Sequence, residues 1–204
     1  CFKSKSSSAR ASGMWQFMPR TGKDFDLKQN AFRDDRRDVL ASTRAALDYL
    51  QKLYAMFGDW HLALAAYNWG EGNVSKSILR NQRMGAPVAY TDLRMPAETR
   101  LYVPKLQAMK NVVTDPQALG VNLPSIPNHP YFQTVRLPRD MDVALIARLA
   151  EVPVEDFKAL NPSAHRPMLL AAGTPRILLP WDNAEIFQRN IDNYEGRLAS
   201  WTAW

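Results

Sequence analysis

The sequence lacks several features that would restrict its function at once. Its 204 residues include a single cysteine, Cys1, so no disulfide bond can form within the chain. No apolar run approaches the roughly 18 residues that span a bilayer. No secretion signal is visible at its start, so any export signal is expected to have been removed or to lie outside this chain.

The sequence also lacks the usual motifs for binding a metal ion or a phosphate group. The three histidines, His61, His129 and His165, are far apart and have no thiolate partners. We therefore expect no metal ion and no other cofactor. A glycine-rich phosphate loop is absent too, because Gly70-Glu71-Gly72 does not have the flanking strand that such a loop needs.

The composition indicates a packed globular protein of two parts. Hydrophobic residues make up 46% of the chain. Residues 1–115 carry 18 Lys and Arg against 11 Asp and Glu, whereas residues 116–204 carry 8 against 9. The basic first half is either solvated surface or suited to an anionic polymer, such as a cell-wall glycan, an acidic polysaccharide or a nucleic acid. Its charges are not interleaved with aromatic residues, which argues against nucleic acid.

Apolar residues recur at helical spacing through the first half. A short helix is expected around residues 13–17, stopped near Pro19, and the charged run Asp34–Asp38 is expected to open a long helix that Gly58 ends. An exposed Gly/Asn turn, residues 68–73, is expected to contain Glu71. The remaining predicted helices are Trp60–Tyr67 capped by Asp59, Val74 to about Arg83, and Pro96 to about Thr114.

The second half predicts a different architecture. Prolines punctuate residues 116–130, which we interpret as a linker. Beyond it the pattern predicts one strand, two short helices and a second strand, followed by a final helix. These elements are Tyr131–Leu137, Val143–Ala150, Val154–Leu160, Ile177–Pro180 and Asn183–Tyr194. The predicted fold class is therefore mainly α, with domains at residues 1–115 and 131–204.

Two stretches carry side chains suited to chemistry. Ala9–Pro19 sets the amide of Gln16 among the rings of Trp15 and Phe17, which suits a sugar ring but also suits ordinary helix packing. Glu98 lies in the first turn of its helix, where a glutamate commonly interacts with the helix dipole. From the residues alone, both interpretations of each stretch stay open.

Three ordered motifs resemble the signature of one enzyme family. They are Ala9–Pro19 (ARASGMWQFMP), Ala65–Val74 (AAYNWGEGNV) and Pro96–Val103 (PAETRLYV). They resemble the soluble lytic transglycosylase patterns A-x-G-[LM]-W-Q-[FLI]-M-P, A-Y-N-x-G-x-G-x-V and P-x-E-T-R-x-Y-V. The resemblance covers about residues 1–115.

The resemblance implies a lysozyme-like helical domain that cleaves peptidoglycan. The bond cut would be the β-1,4 bond between N-acetylmuramic acid and N-acetylglucosamine. The substrate's own C6 hydroxyl would replace water, so the product would carry a 1,6-anhydro ring. One glutamate would act first as acid and then as base, unlike the paired carboxylates of most glycosidases. Such a glutamate needs a raised pKa, which an apolar cleft supplies.

The resemblance also implies which residues contact the substrate. In the first part of the chain, Ser7 matches the serine that contacts the substrate acetamido group. Gln16 and Met18 match the amide and the thioether that contact the sugar. These three residues would form one wall of a glycan cleft.

The second and third motifs supply the other implied residues. Tyr67 matches the tyrosine that orients the catalytic acid, and Asn68 matches a cleft residue beside it. Glu98 matches a glutamate that supports the cleft or binds sugar, with Tyr102 nearby. Glu71 occupies a variable position of the family pattern and receives no catalytic role.

The catalytic glutamate of the family opens a Glu-Ser-x-[FY] motif ahead of the first motif. Cys1-Phe2 resembles the end of that motif, so the general acid/base glutamate is expected just before Cys1, outside this chain. A cysteine at a mature N-terminus can carry a lipid anchor. The nearness of the first motif favours a cut in a longer chain instead.

Residues 131–204 resemble a LysM module with a helical tail. Ala144–Ala150 and Val154–Asn161 resemble its two helices, and Gly173–Pro180 resembles its last strand. The usual Gly-Asp-Thr-Leu ahead of the first helix is replaced by residues 139–143. The module would therefore either bind glycan or be a structural relative that packs on the catalytic domain.

The implied partner is the peptidoglycan glycan strand, and no nucleic acid is expected. The implied location is periplasmic, with outer-membrane association through a lipid anchor outside this chain. Two other functions stay open: a non-catalytic peptidoglycan-binding protein and a cell-wall scaffold that organises partners.

Overall fold

The computed structural model describes residues 10–200, which form a mainly helical protein with four short strands. The predicted mainly α fold class is confirmed. The helices are α1 (Pro19–Asp24), α2 (Val39–Phe57), α3 (Trp60–Trp69), α4 (Glu71–Arg83), α5 (Ala97–Thr114), α6 (Val143–Leu149), α7 (Val154–Leu160) and α8 (Trp181–Asp192). The strands are β1 (Phe132–Arg136), β2 (Met141–Asp142), β3 (Met168–Leu169) and β4 (Arg176–Pro180).

Contacts between residues divide the chain into two compact units. One, which we call the split unit, comprises Cys1–Ala46 and Asn128–Trp204. The other, which we call the helical unit, comprises Leu47–Pro127. The first boundary falls within α2. The domain limits at residues 115 and 131 stay a prediction.

Helix α2 begins at Val39, after the charged run Asp34–Asp38 rather than within it. Asp38 caps it, because its Oδ1 accepts a hydrogen bond from Ala41 N at 2.8 Å. The first two acids of the run precede the helix and are buried against arginines, so the expectation that they open the helix is wrong. The helix ends as predicted at Gly58, whose φ is 67°.

Small side chains let the helices of the helical unit pack closely. Helix α3 begins as predicted behind Asp59, whose Oδ1 accepts a hydrogen bond from Leu62 N at 2.8 Å. Ala63, Ala65 and Ala66 are fully buried on this helix. Helix α3 packs against both α4 and α5, so it forms the centre of the unit.

A single residue separates α3 from α4. Gly70 has a φ of 95°, which side-chain-bearing residues rarely adopt, and its N–H donates to the Ala66 carbonyl at 2.7 Å. Gly70 alone changes the direction of the chain. The residue before it therefore still belongs to α3, and the residue after it already belongs to α4. The predicted turn over residues 68–73 and the predicted helix start at Val74 are therefore wrong, and α4 begins at Glu71.

Residues 131–200, which we call the βααβ module, follow the predicted order of strand, two helices and strand. Strands β1 and β4 pair antiparallel, with Phe132 opposite Pro180 and Arg136 opposite Arg176. Strand β2 pairs with β3 over two residues, a pairing that the sequence does not predict. Helix α8 follows β4 directly and packs on both β1 and β4.

The βααβ module has its own apolar core. Strands and helices both contribute buried side chains, including those of Met141, Ile146, Phe157, Leu179 and Phe187. A second cluster joins Val39, at the start of α2, to Leu160, Leu178 and Phe132 of the module. The module therefore packs against the beginning of α2.

Helices α2 and α5 are the longest, with 19 and 18 residues. Across residues 10–200, no helix combines the length and the apolar character that crossing a bilayer requires. Helix α5 contains Pro104 in its interior and runs to Thr114 as predicted. Thr99 is the only buried residue of α5, and Leu106 and Met109 are among its exposed apolar side chains.

Candidate functional site

The first motif folds as a tight turn. Ser12 N donates to Phe17 O at 3.1 Å, and Gln16 N donates to Gly13 O at 3.3 Å. Gly13 has a φ of 81° and Gln16 has a φ of 52°. Because left-handed residues interrupt a right-handed helix, the predicted helix at this position is wrong. Pro19 begins helix α1 rather than ending one, since its fixed φ suits a first helical turn.

The turn presents Gln16 and Met18 to solvent. Met18 is 44% exposed, whereas Phe17 between them is 3% exposed. Trp15 is half-buried, and its Nε1 donates to Thr43 Oγ1 on α2 at 2.8 Å. Two aromatic rings thus anchor the turn while an amide and a thioether face outward, as contact with a sugar requires.

The backbone of Gln16 is strained. A φ of 52° is costly for a residue with a long side chain and persists only where the surroundings enforce it. The side-chain Nε2 donates to the Gly13 carbonyl at 2.6 Å, which fixes the direction of the amide. Strain stored at an exposed polar residue supports the hypothesis that this residue contacts a ligand.

Arg36 holds both ends of the turn. Its Nη1 donates to the Arg10 carbonyl at 2.8 Å and to the Phe17 carbonyl at 3.1 Å. Its Nε and Nη2 donate to the carboxylate of Asp34 at 2.9 and 2.7 Å. This role of Arg36 is not predicted from the sequence, because the charged run around it is expected to open a helix. The spacing of Asp34 and Arg36 is a sequence signal for this pairing. An acid and a base two residues apart do not face each other on a helix, so a pair at this spacing indicates a non-helical segment.

The second and third motifs meet in the helical unit through one amide. Asn68 Oδ1 accepts a hydrogen bond from Thr99 Oγ1 at 2.8 Å, and Asn68 Nδ2 donates to Glu98 Oε1 at 3.5 Å. Thr99 is buried and Glu98 is exposed. Asn68 therefore ties the end of α3 to the first turn of α5.

Two tyrosines belong to the same cluster. Burial raises the pKa of Tyr67, and the neighbouring Tyr102 raises it further. Burial also raises the pKa of Tyr102. A tyrosine hydroxyl is protonated at neutral pH even without such a shift, so both hydroxyls can donate hydrogen bonds. The Tyr67 ring lies 5.4 Å from the Tyr49 ring in a tilted arrangement.

Glu71 is half-buried at the start of α4, so its assignment to an exposed turn is wrong. The Tyr49 hydroxyl donates to Glu71 Oε2 at 2.7 Å. This hydrogen bond lowers the pKa of Glu71, against burial, which raises it. A carboxylate held ionised in this way is poorly suited to protonate a leaving group.

The structure brings most of the predicted site residues into two clusters. In the helical unit these are Tyr67, Asn68, Glu98 and Tyr102. In the split unit Gln16 and Met18 share one turn, and Ser7 lies outside the described residues. Within residues 10–200, no group of three or more His, Cys, Asp or Glu side chains could hold a metal ion.

Comparisons with known proteins match the two halves separately. Residues 2–87 match the family described as "Transglycosylase SLT domain". Residues 131–196 match the family described as "Lytic transglycosylase MltD, LysM-like domain". The two matches follow each other in the order that the sequence motifs predict.

Individual relatives extend the similarity over most of the chain. The chain is 37% identical over 190 residues to "Membrane-bound lytic murein transglycosylase D" of Escherichia coli (strain K12). That alignment covers 93% of this chain and 42% of the relative, so the chain spans less than half of that protein. It is also 32% identical over 151 residues to "Putative tributyltin chloride resistance protein" of Alteromonas sp. (strain M-1), covering 74% of this chain and 70% of the relative.

Proposed function

Because the chain belongs to the transglycosylase SLT family, we propose that it is part of a peptidoglycan lytic transglycosylase. The enzyme cleaves the β-1,4 bond between N-acetylmuramic acid and N-acetylglucosamine and leaves a 1,6-anhydro end. The domain at residues 1–115 carries the glycan cleft, and residues 131–204 form the LysM-like domain. The enzyme acts on glycan strands in the periplasm, with an outer-membrane anchor expected outside this chain.

The observation that carries this proposal is the hydrogen-bonded cluster around Asn68. Two motifs that are separated in sequence converge there on one buried threonine and one exposed glutamate. Tyr67 lies at the same helix end, and burial raises the pKa of its hydroxyl further above neutral pH. A polar group of this kind beside a cleft can orient a catalytic carboxyl by donating a hydrogen bond to it.

The proposed chemistry needs one carboxyl group. The protonated glutamate, expected just before Cys1, donates its proton to the glycosidic oxygen as the bond to C1 breaks. The resulting carboxylate then takes the proton of the C6 hydroxyl while O6 bonds to C1. The glutamate is thereby restored and no water is consumed, which distinguishes this reaction from hydrolysis.

The described residues serve binding and orientation in this reaction. Gln16 and Met18 contact the sugar from the turn, where an amide can satisfy hydroxyl groups and a thioether can contact the apolar ring face. Tyr67 orients the acid, and Asn68 holds Glu98 beside it. Tyr102, which is half-buried near Tyr67, supports the position of that ring.

Product analysis tests the proposal. The full-length protein is incubated with purified sacculi, and the released fragments are identified by mass spectrometry. We expect anhydro-muropeptides, each lighter by one water than the product of hydrolysis. Only hydrated reducing ends would instead identify a muramidase. Sedimentation with sacculi without any product would favour a non-catalytic binding protein.

A pair of tyrosine variants separates the orienting role from general packing. Tyr67→Phe is expected to lower kcat on the order of tenfold to a hundredfold, because the acid loses a hydrogen-bond donor. Tyr54→Phe is the matched control, since Tyr54 is exposed and stacks on Trp60 away from this cluster. Equal activity of the two variants would contradict the role of Tyr67.

A further inference from the structure

The segment Asn30–Asp38, which we call the bridge segment, contacts two other parts of the split unit. On one side lies the turn formed by residues 12–17, which presents Gln16. On the other side lies the βααβ module. The segment has no helix or strand of its own beyond isolated bridges, so its conformation depends on these contacts.

Backbone groups dominate the contact with the module. Asp34 N donates to the Ser163 carbonyl at 2.9 Å, and Arg33 forms an isolated antiparallel bridge with Ala164. The Arg33 guanidinium donates to the Gly173 carbonyl, which lies 140 residues further along the chain. The two loops that flank β3, one after α7 and one before β4, therefore fix the path of the bridge segment.

Side chains dominate the contact with the turn. Arg36 donates to carbonyls at both ends of the turn, as described above. Arg37 Nε donates to Ser12 Oγ at 2.9 Å. The backbone approaches closely as well, because a Cβ atom on Gly13 would lie 1.8 Å from the Arg36 carbonyl oxygen. The turn cannot keep this fit if the bridge segment shifts.

Two buried ion pairs lie within the segment. One of them, Arg36–Asp34, links the two contacts, because Asp34 N donates to the module and Arg36 donates to the turn. Arg33 pairs with Asp35, and Arg36 pairs with Asp34 at 2.7 Å. All four side chains are at most 15% exposed. Arg36 holds the pKa of Asp34 below its ordinary value although burial opposes this, whereas burial raises the pKa of Asp35 against the effect of Arg33. Breaking either pair leaves an uncompensated buried charge.

From this arrangement we propose that Arg33 and Arg36 are positioning residues through which the βααβ module holds Gln16 in its strained, sugar-contacting conformation. The inference rests on the proposed function for the role of Gln16. It gives the module a task that needs no glycan on its own surface. A change in the module is transmitted through the ion pairs that Asp34 and Asp35 form. It therefore alters the affinity of the turn for the substrate.

Hydrogen exchange and glycan binding test the proposal on the full chain. In Arg33→Ala, we expect the amides of Ser12 and Gln16 to exchange on the order of tenfold faster, because the turn opens more often. Affinity for a soluble peptidoglycan glycan fragment, measured by calorimetry, should fall about threefold to tenfold. Arg33→Lys, which keeps a donor and the charge facing Asp35, should recover part of both losses.

Two further variants keep the test decisive. Lys158→Ala breaks an exposed ion pair of the same module and should change neither measurement. The double variant Arg33→Met with Asp35→Asn removes both charges and so avoids a lone buried charge if Arg33→Ala fails to fold. It should still loosen the turn, since the hydrogen bond to Gly173 is lost.

The outcomes separate this inference from the proposed function. Unchanged exchange and affinity in Arg33→Ala and in the double variant would overturn the positioning role while leaving glycan binding intact. Absence of glycan binding by the unaltered chain would contradict the proposed function. In that case, faster exchange at Gln16 in the variants would still support the mechanical connection from module to turn.

Discussion

The amide of Asn68 and the hydroxyl of Thr99 form a 2.8 Å hydrogen bond that joins two helices at the candidate site. Thr99 is 2% exposed, so neither water nor a surface side chain can easily replace it. The bond places Glu98, the preceding residue, within reach of the same amide. Two motifs that lie apart in the sequence therefore form one polar cluster.

Removing this hydroxyl should destabilise the helical unit. We expect Thr99→Val, which keeps the side-chain shape, to lower the free energy of unfolding by about 1–2 kcal/mol, because Asn68 Oδ1 loses its donor. Urea denaturation measures the change. Thr99→Ser retains the hydroxyl and should lose less. Equal losses in the two variants would assign the effect to packing rather than to the hydrogen bond.

A side chain at Gly13 should disrupt the turn of the first motif. Gly13→Ala combines a φ of 81° with a contact of 1.8 Å to the Arg36 carbonyl. We expect a loss of about 3 kcal/mol in the free energy of unfolding. Gly58→Ala is the control, since Gly58 also has positive φ but no atom within 4 Å of a Cβ, and should cost about 1 kcal/mol. Similar losses would show that the close approach does not matter.

The hydrogen bond from Tyr49 to Glu71 should make stability depend on pH. The pKa of Glu71 lies below its ordinary value of 4.5 in the folded state, so the bond stabilises above that pH. The stabilisation is lost as the pH falls through the folded-state pKa. We expect Tyr49→Phe to lower the free energy of unfolding by about 1 kcal/mol at pH 7. The difference from the unaltered chain should shrink at pH 3, and a constant difference would exclude this linkage.

Shortening the exposed amide should weaken glycan binding without unfolding the chain. Gln16→Asn keeps the amide and tolerates positive φ. We expect affinity for a soluble glycan fragment to fall about tenfold, because the amide no longer reaches the sugar. Gln107→Asn changes an exposed glutamine on α5 and should leave the affinity unchanged. Calorimetry at matched concentrations compares the two variants.

Local chemistry explains the elements that the sequence predicts well. Asp59 caps α3 and Gly58 ends α2, because each acts through neighbouring backbone groups. Helix α7 has the predicted limits, Val154–Leu160, since its apolar periodicity lies within one short stretch. The residues of the second and third motifs meet where α3 ends and α5 begins.

Contacts between distant residues explain the elements that the sequence does not predict. Asp34 and Asp35 resemble a helix start until their arginine partners fold back on them. The turn around Gly13 depends on Arg36, and no local pattern specifies that approach. The β2–β3 pair is only two residues long, so alternation cannot reveal it. The periodicity of apolar residues depends on neighbours along the chain. It therefore cannot predict contacts between distant residues.

The split unit has a consequence for synthesis on the ribosome. Its first portion ends at Ala46, and its second begins at Asn128. The partners of Arg33 therefore emerge only after the intervening helices have left the exit tunnel. Long-range closure of this kind slows folding and leaves the early segment exposed meanwhile. The first motif, although it is translated before the helical unit, is expected to be among the last parts of this chain to reach its native conformation.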